Sequence, residues 1–287
     1  MKVILSIGAL VLLAALPVRA QVSVEVELAQ DKFLPAESVP VAVRVINRSG
    51  RTLHLGAHAD WLTFSVEGRD GFVVEKTGEV PVVEAFTLAS GDVATRRADL
   101  APYFSLARAG GYRVEATVQL RELEGRATSK AKKFDVIEGA IIWSQEFGVP
   151  PAAGVTNQPL EVRRYTLLQA NYLKSQLRLY FRVSDEADQR VIKVFPVGPM
   201  VSFSEPKEQL DHDNNLHLIY QSGRVDCLYV MITPEGEILR RQTYEYAGTR
   251  PRLTADDSGN ISVAGGLRRP TSSDLPATSS ESNPAQK

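Results

Sequence analysis

The stretch VPVAVRVINRSG, residues 39–50, decides the fold class of this chain. Valines at every second position alternate with Pro40, Ala42, Arg44 and Ile46, and the run stops at the turn NRSG. A period of two residues places successive side chains on opposite faces of a strand, so that one face is buried and the other meets solvent. The stretch therefore predicts a half-buried β-strand and argues against an amphipathic helix, in which apolar residues recur every three or four positions.

The same alternation recurs on both sides of this stretch. It runs through residues 22–28, 62–66, 112–118 and 131–136, and a shorter apolar run is Phe72-Val73-Val74. Together these patterns predict about seven short strands separated by turns, which is typical of an Ig-like β-sandwich. We therefore assign residues 21–138 to an N-terminal Ig-like β-sandwich.

A second set of alternating runs begins at residue 139 and predicts a C-terminal antiparallel β domain, residues 139–268. Within it, DHDNNLHL (211–218) is similar to DDSGNISV (256–263), 45 residues further on. Repeats of about 40–50 residues are typical of propeller blades, but a closed propeller needs at least four blades and this region has room for fewer than three. We expect an open stack of sheets with blade-like hairpin repeats, with a ring completed by an oligomer as the alternative.

Both ends of the chain have their own composition. Residues 1–20 combine Lys2, an apolar run to Leu16 and small residues around Arg19, which predicts a signal peptide. The run is shorter than the ~20 residues of a membrane-spanning helix. We expect an exported mature chain without a membrane span, in the periplasm or outside the cell. Residues 269–287 are rich in Ser, Thr and Pro and predict a disordered tail.

Charge and motifs exclude several function classes. The chain has 33 Lys and Arg against 34 Asp and Glu, so no basic excess points to nucleic acid. Cys227 is the single cysteine; it lies in VDCLYV and is expected to be a buried strand residue. The signatures of zinc proteases, serine hydrolases, P-loops and dinucleotide-binding loops are missing from the sequence. We therefore predict no catalytic residue, no cofactor and no enzymatic activity.

Two stretches carry groups that bind metals in other proteins. HLGAHAD contains His54, His58 and Asp60, a spacing that permits convergence without forcing it. DHDNN begins like a calcium loop, but Leu216 and Ser222 stand where glycine and glutamate are needed. We predict no metal site, and a turn that begins a strand at DHDNN.

Surface contacts are expected in two loops. One runs from His54 to Trp61, and the other is the proline-rich stretch GVPPAAGVTNQP, residues 148–159. Trp143 is expected to pack between the two domains. The candidate contact residues are His54, His58, Asp60, Trp61, Pro150 and Pro151.

Part of the chain resembles known families. FLPAESVPVAVRVINRSGRTLHLG followed by WLTFSVEGRDGFVV resembles the opening strands of bacterial secreted Ig-like modules, and is similar in pattern to the Ig-fold bacterial intracellular-proteinase-inhibitor family. DNNLHLIYQSG and DDSGNISVAGG resemble hairpins of bacterial repeat propellers. The resemblances imply β-sheet binding scaffolds and carry over no catalytic residue.

These observations favour a non-enzymatic scaffold that presents sheet faces and loops to a protein or polysaccharide partner in the cell envelope. The first alternative is a protease inhibitor that acts through a loop of the Ig-like domain. The second is a hydrolase with an unrecognised site in the C-terminal domain.

Overall fold

The computed structural model describes residues 22–82, 84–149, 161–173 and 176–275. Over these residues the chain is a set of mostly antiparallel sheets, with a single 3₁₀ turn at Arg121–Leu123, and the predicted all-β fold class is confirmed. None of the described segments is a helix long and apolar enough to cross a bilayer. The predicted signal peptide, Pro150 and Pro151 lie outside the described residues.

The N-terminal unit is a sandwich of two main sheets. Sheet I has the order β1-β3-β7, and sheet II has the order β2-β10-β8-β5 with β9 beside β8. The short β2 runs parallel to β10, and β4 and β6 form a separate ladder. The strands are β1 (Val22–Leu28), β2 (Lys32–Phe33), β3 (Pro40–Asn47), β4 (Leu53–Leu55), β5 (Leu62–Gly68), β6 (Phe86–Leu88), β7 (Val93–Asp99), β8 (Gly110–Leu120), β9 (Gly125–Thr128) and β10 (Lys132–Val136).

Alternation along the strands builds the core of this sandwich. Val41, Val43 and Val45 of β3 are buried and face alternate residues of β8, from Tyr112 to Val118. Tyr112, near the start of β8, donates its hydroxyl to the carbonyl of Arg108 at 2.6 Å. A tyrosine that bonds back to the chain just upstream at this corner is a feature of Ig-like sandwiches.

The strand predicted at Phe72-Val73-Val74 is wrong. These residues belong to the irregular segment between β5 and β6, which we call the 69–82 loop. Phe72 packs its ring edge-on against Tyr112, with 5.2 Å between ring centres, and a Cβ on Gly68 would collide with that ring. The apolar side chains therefore anchor a loop to the sandwich instead of forming a ladder.

The C-terminal unit starts at β11 and contains two larger sheets. Sheet III has the order β11-β12-β13-β14, sheet IV has the order β15-β16-β17-β18-β21, and β19 and β20 form a terminal hairpin. The strands are β11 (Ala140–Val149), β12 (Glu161–Leu173), β13 (Gln176–Asp185), β14 (Val191–Met200), β15 (Lys207–Leu210), β16 (Leu216–Gln221), β17 (Asp226–Ile232), β18 (Ile238–Glu245), β19 (Arg252–Ala255), β20 (Ile261–Ala264) and β21 (Leu267–Arg268).

The layers of this unit are stacked face to face. Leu167 and Phe181 of sheet III pack with Leu218 and Val230 of sheet IV in one buried cluster. The terminal hairpin places Leu253 and other apolar side chains on the opposite face of sheet IV. The unit is therefore an open stack of a four-stranded sheet, a five-stranded sheet and a two-stranded hairpin.

The internal repeat is visible at atomic detail in two turns. Asp211 Oδ1 accepts hydrogen bonds from the backbone N–H groups of Asp213 and Asn215, both at 2.9 Å. Forty-five residues on, Asp256 Oδ1 accepts the same pair of bonds from Ser258 and Asn260 at 2.9 and 2.8 Å. The DHDNN stretch is thus a turn that begins β16, as its Asp and Asn content predicts.

The packed part of the chain extends beyond the predicted start of the tail at residue 269. Asp274 is buried and forms an ion pair of 2.6 Å with Arg268, and Leu275 pairs with Arg241 of β18. The buried ion pair holds residues 269–275 on sheet IV, and the remaining tail residues lie outside the described ranges.

The two units meet at the outer face of sheet III. Leu34 of the sandwich packs with Leu168 and Tyr180 in a small apolar cluster. Beside it, Arg178 Nη1 donates to Gln30 Oε1 at 3.0 Å, and Lys32 Nζ donates to the carbonyl of Asn171 at 3.3 Å. Trp143 was expected at this junction but instead packs with the core between sheets III and IV.

Candidate functional site

The residues predicted as surface contacts do not form one site. Trp61 is buried in the sandwich core, where its indole N–H donates to the carbonyl of Val82 and its ring packs edge-on against Phe86. His54 and His58 are exposed. Among the described residues, no group of three or more His, Cys, Asp or Glu side chains is placed to hold a metal ion. Trp61 is therefore a core residue, since its long apolar ring system is buried and its polar atom is satisfied internally.

Two neighbouring clefts lie at one end of the C-terminal stack. The large cleft, of about 700 Å³, lies between the outer face of sheet IV and the terminal hairpin. The small cleft, of about 520 Å³, lies between the start of β11 and the start of β15. Both are lined by the connection from β14 to β15, residues 201–206, which we call the Phe203 loop. Cavities of this size are within the range of ligand-binding pockets.

The Phe203 loop holds an aromatic ring in solvent. Phe203 is 97% exposed, whereas its neighbour Ser204 is buried. Ser204 Oγ accepts a hydrogen bond from the backbone N–H of Gln221 at 3.1 Å, and the N–H of Val201 donates to the carbonyl of Gln221 at the same distance. Since the loop is pinned to the end of β16 at both of these points, the position of the exposed ring is set by the sheet.

The wall of the large cleft depends on two glycines. Gly265 has a φ of +77°, and a Cβ there would lie 2.8 Å from the carbonyl oxygen of Arg250. Gly266, with a φ of +67°, donates its N–H to Thr249 Oγ1 at 3.1 Å. This conformation suits glycine because other residues rarely adopt a positive φ. The two glycines let residues 249–252 lie directly against the end of β20.

The floor of the large cleft is apolar and its rim is basic. Ile219 and Cys227 are buried on the outer face of sheet IV, and Arg250 and Arg252 are exposed at the rim. Burial raises the pKa of the Cys227 thiol, although the positive charge of Arg250 opposes the rise. The thiol is therefore held neutral, and the predicted buried strand position of Cys227 is confirmed.

The rim carries an excess of positive charge. Lys207 pairs with Glu205 at 3.3 Å, and both side chains are well exposed. In the part of the chain that the structure describes, neither Arg250 nor Arg252 forms an ion pair of 4.0 Å or less. Three cations and one carboxylate therefore line the large cleft.

The small cleft is bordered by the edge strand β11. Ile142 and Trp143 line it together with the Phe203 loop, and Ile141 beside them is 60% exposed. Burial raises the pKa of Glu208 at the other side of the cleft, with Lys207 opposing the rise. The result is an apolar surface made of the exposed Ile142 and Phe203 and the half-buried Trp143, which we call the aromatic platform.

A buried hydrogen-bonded chain lies on the same face of sheet IV as the large cleft. His217 Nδ1 is 2.8 Å from the hydroxyl of Tyr229, and His217 Nε2 is 3.1 Å from Asp211 Oδ2. Burial would raise the pKa of Asp211, but bonds from Asn215, His217 and backbone N–H groups outweigh it and hold that pKa below its usual value. Burial also raises the pKa of Tyr229 to about 12. These hydrogen bonds satisfy the buried polar groups of Asp211, His217 and Tyr229, and they connect the turn at Asp211 to the centre of sheet IV.

Sequence reasoning missed both clefts. Phe203, Arg250 and Arg252 lie in separate segments with no motif, and only the packing of the terminal hairpin on sheet IV brings them together. The one related signal was the 45-residue repeat, which matches the start of β16 with the start of β20.

Comparisons with known proteins give a weak result. No protein-family model matches the sequence, and no curated protein matches it. Among solved structures, Spo0M, a sporulation control protein from Bacillus subtilis, is similar with a TM-score of 0.31 and 11% identity, over 60% of this chain and 83% of that chain. A similarity this weak carries no argument about fold or function.

Proposed function

We propose that the protein is an exported, non-enzymatic binding scaffold, and that it holds a protein partner through the aromatic platform. The observation that supports this most directly is the pinned and fully exposed ring of Phe203 between two clefts. A protein is favoured over a polysaccharide because the ring projects outward between clefts, whereas sugars stack on aromatic faces that lie flat within a groove.

The energetics of an exposed phenylalanine support this use. Burying such a side chain contributes about 1.5–3 kcal/mol, and aromatic residues in the centre of an interface often dominate its binding energy. Ser204 and Gln221 already fix the loop, so a partner would lose little free energy in ordering it. Ile142 and Trp143 extend the apolar area beside the ring, and the Glu205–Lys207 pair is suited to a polar rim.

Phe203→Ser tests the proposal, with Val73→Ser as the matched control. Val73 is 92% exposed in the other unit, so both variants replace an exposed apolar side chain and leave the cores intact. The mature protein is immobilised, envelope extract of the source cells is passed over it, and the bound proteins are identified, purified and rebound. We expect a purified partner whose affinity falls at least tenfold with Phe203→Ser and is unchanged with Val73→Ser. A partner set that is insensitive to Phe203 would contradict the proposal.

The 69–82 loop supports protease inhibition as a second candidate function. Val73 projects from this loop, while Phe72 and Val74 on either side pack against the sandwich core. The ion pair between Arg69 and Asp135 of β10 fixes the start of the loop. A rigid loop with one exposed small apolar side chain fits the specificity pocket of proteases that cleave after valine or alanine.

Two variants, Val73→Asp and Phe203→Ser, separate the candidates. The mature protein is mixed with a panel of serine proteases that cleave after small apolar residues, and residual activity is measured. Inhibition that is lost with Val73→Asp and retained with Phe203→Ser would support the inhibitor. Full protease activity, or rapid cleavage after Val73, would exclude this candidate.

A further inference from the structure

The large cleft combines an apolar floor with two arginines, and neither arginine forms an ion pair with any described residue. Its floor contains Ile219 and Cys227, which are 4% and 7% exposed, and Ala264 of the terminal hairpin closes one side. Arg250 and Arg252 stand at the rim. The volume of about 700 Å³ is suited to a small organic molecule.

The charges at the rim are not balanced by the protein. Glu205 is engaged by Lys207, and Asp226 at the start of β17 is 3.8 Å from Arg269. The guanidinium groups of Arg250 and Arg252 thus retain their planar donor sets for a ligand, and arginine binds carboxylate and phosphate groups through two parallel hydrogen bonds.

We propose that the large cleft binds a small organic anion, with an apolar body on Ile219 and Cys227 and an anionic head, carboxylate or phosphate, on Arg250 and Arg252. Charge complementarity selects an anion over a cation, and the apolar floor selects an amphiphile over inorganic phosphate. The large cleft shares Phe203 with the aromatic platform, but Arg250 and Arg252 line the large cleft and not the small one, so their variants test this site separately from the proposed function.

The single cysteine supplies a direct measurement of occupancy. Cys227 lies in the cleft and is the only thiol in the chain, so its alkylation by the neutral reagent N-ethylmaleimide can be followed by mass spectrometry. The probes are decanoate and decyl phosphate, with decanol and decyltrimethylammonium as neutral and cationic controls of the same chain length. We expect decanoate or decyl phosphate to slow alkylation at least fivefold at concentrations where the two controls leave the rate unchanged.

Variants then test the role of the two arginines. In Arg250→Gln/Arg252→Gln, the anion concentration needed for half protection should rise at least tenfold, which corresponds to about 1.4 kcal/mol. Arg250→Lys/Arg252→Lys should recover part of this loss because it keeps the charge. The matched control is Arg97→Gln/Arg126→Gln, which removes two exposed arginines of the sandwich and should protect like the wild type.

The outcomes are separable. Equal protection by decanoate, decanol and decyltrimethylammonium would overturn the proposal in favour of a nonspecific apolar surface, and so would unchanged protection in the glutamine variant. If neither decanoate nor decyl phosphate slows the alkylation of Cys227, the proposal is also overturned. Since partner capture is measured with Phe203→Ser, the failure of this site and the failure of the proposed function give different results.

Discussion

Glu37 is a carboxyl group buried where the sandwich meets sheet III. It is 4% exposed, its Oε2 accepts from the N–H of Leu34 at 2.7 Å, and its Oε1 accepts from Gln30 Nε2 at 2.6 Å. Gln30 is in turn held by Arg178 of the other unit. Burial raises the pKa of Glu37 from 4.5 to about 7, even though these bonds and the charge of Arg178 act in the opposite direction.

The raised pKa predicts a loss of stability as the pH rises. Between pH 4.5 and 7 the folded protein holds a proton on Glu37 that the unfolded chain releases, so the free energy of unfolding falls with increasing pH. One pKa unit is worth about 1.4 kcal/mol, so a rise from 4.5 to about 7 amounts to about 3 kcal/mol. This contribution is fully present below pH 4.5 and is lost by about pH 8.

Glu37→Gln removes the titration and keeps the shape. Because the amide offers one acceptor oxygen in place of two, the variant should be less stable than the wild type by about 1–3 kcal/mol at pH 4.5. That deficit should shrink by up to about 3 kcal/mol on going to pH 8, since only the wild type must bury a charge. Urea unfolding of both proteins at a series of pH values measures the difference, with Trp61 and Trp143 reporting one unit each.

Glu27→Gln on β1 is the control, because that carboxyl group is exposed and its replacement should leave the difference from wild type small at every pH. A stability difference between wild type and Glu37→Gln that stays constant from pH 4.5 to 8 would refute the reasoning. It would mean that Glu37 titrates alike in the folded and unfolded chains.

Two further predictions concern single hydrogen-bonding side chains, one in a turn and one in a strand. Asp211→Ala should destabilise the protein by about 1–3 kcal/mol more than Asp256→Ala. Each of the two acids accepts the same backbone hydrogen bonds in its own turn, but only Asp211 is also bonded to the buried His217. Equal urea midpoints for the two variants would contradict this prediction. Tyr112→Phe should lower the free energy of unfolding by about 1 kcal/mol through loss of the hydrogen bond from the Tyr112 hydroxyl to the carbonyl of Arg108. An unchanged free energy of unfolding would show that this hydrogen bond does not stabilise the protein.

Several errors of the sequence analysis share one physical cause. The run Phe72-Val73-Val74 has strand composition, yet it forms a loop because Phe72 is used to anchor the chain against Tyr112. Strand β7 was missed because its sequence, VATRRAD, is polar. It forms because the edge of β3 that is not paired with β1 provides backbone hydrogen bonds along its whole length. Composition reports what a side chain prefers, whereas pairing depends on a neighbour that is distant in sequence.

The candidate contact residues show the same difference between what a side chain prefers and where distant parts of the chain place it. Trp61 was named as a candidate contact residue at the end of the stretch from His54, but it is buried and its ring packs edge-on against Phe86 of β6. Phe203 lies in an equally ordinary stretch, PMVSFSEP, and is left in solvent because the buried Ser204 takes the inward position. Which of two adjacent residues is buried at a loop is decided by the surface that the loop covers.

The amino-acid sequence alone determined that this chain is all-β, and that its C-terminal part repeats an Asp-to-Asn turn with a spacing of 45 residues. These properties follow from two-residue alternation and turn chemistry, which act over a few neighbouring residues. Only the tertiary structure decided that the terminal hairpin covers sheet IV, which sets Arg250 and Arg252 above Ile219 and Cys227. The reason is that a cleft exists between layers, and the packing of layers depends on the summed burial of side chains far apart in the chain.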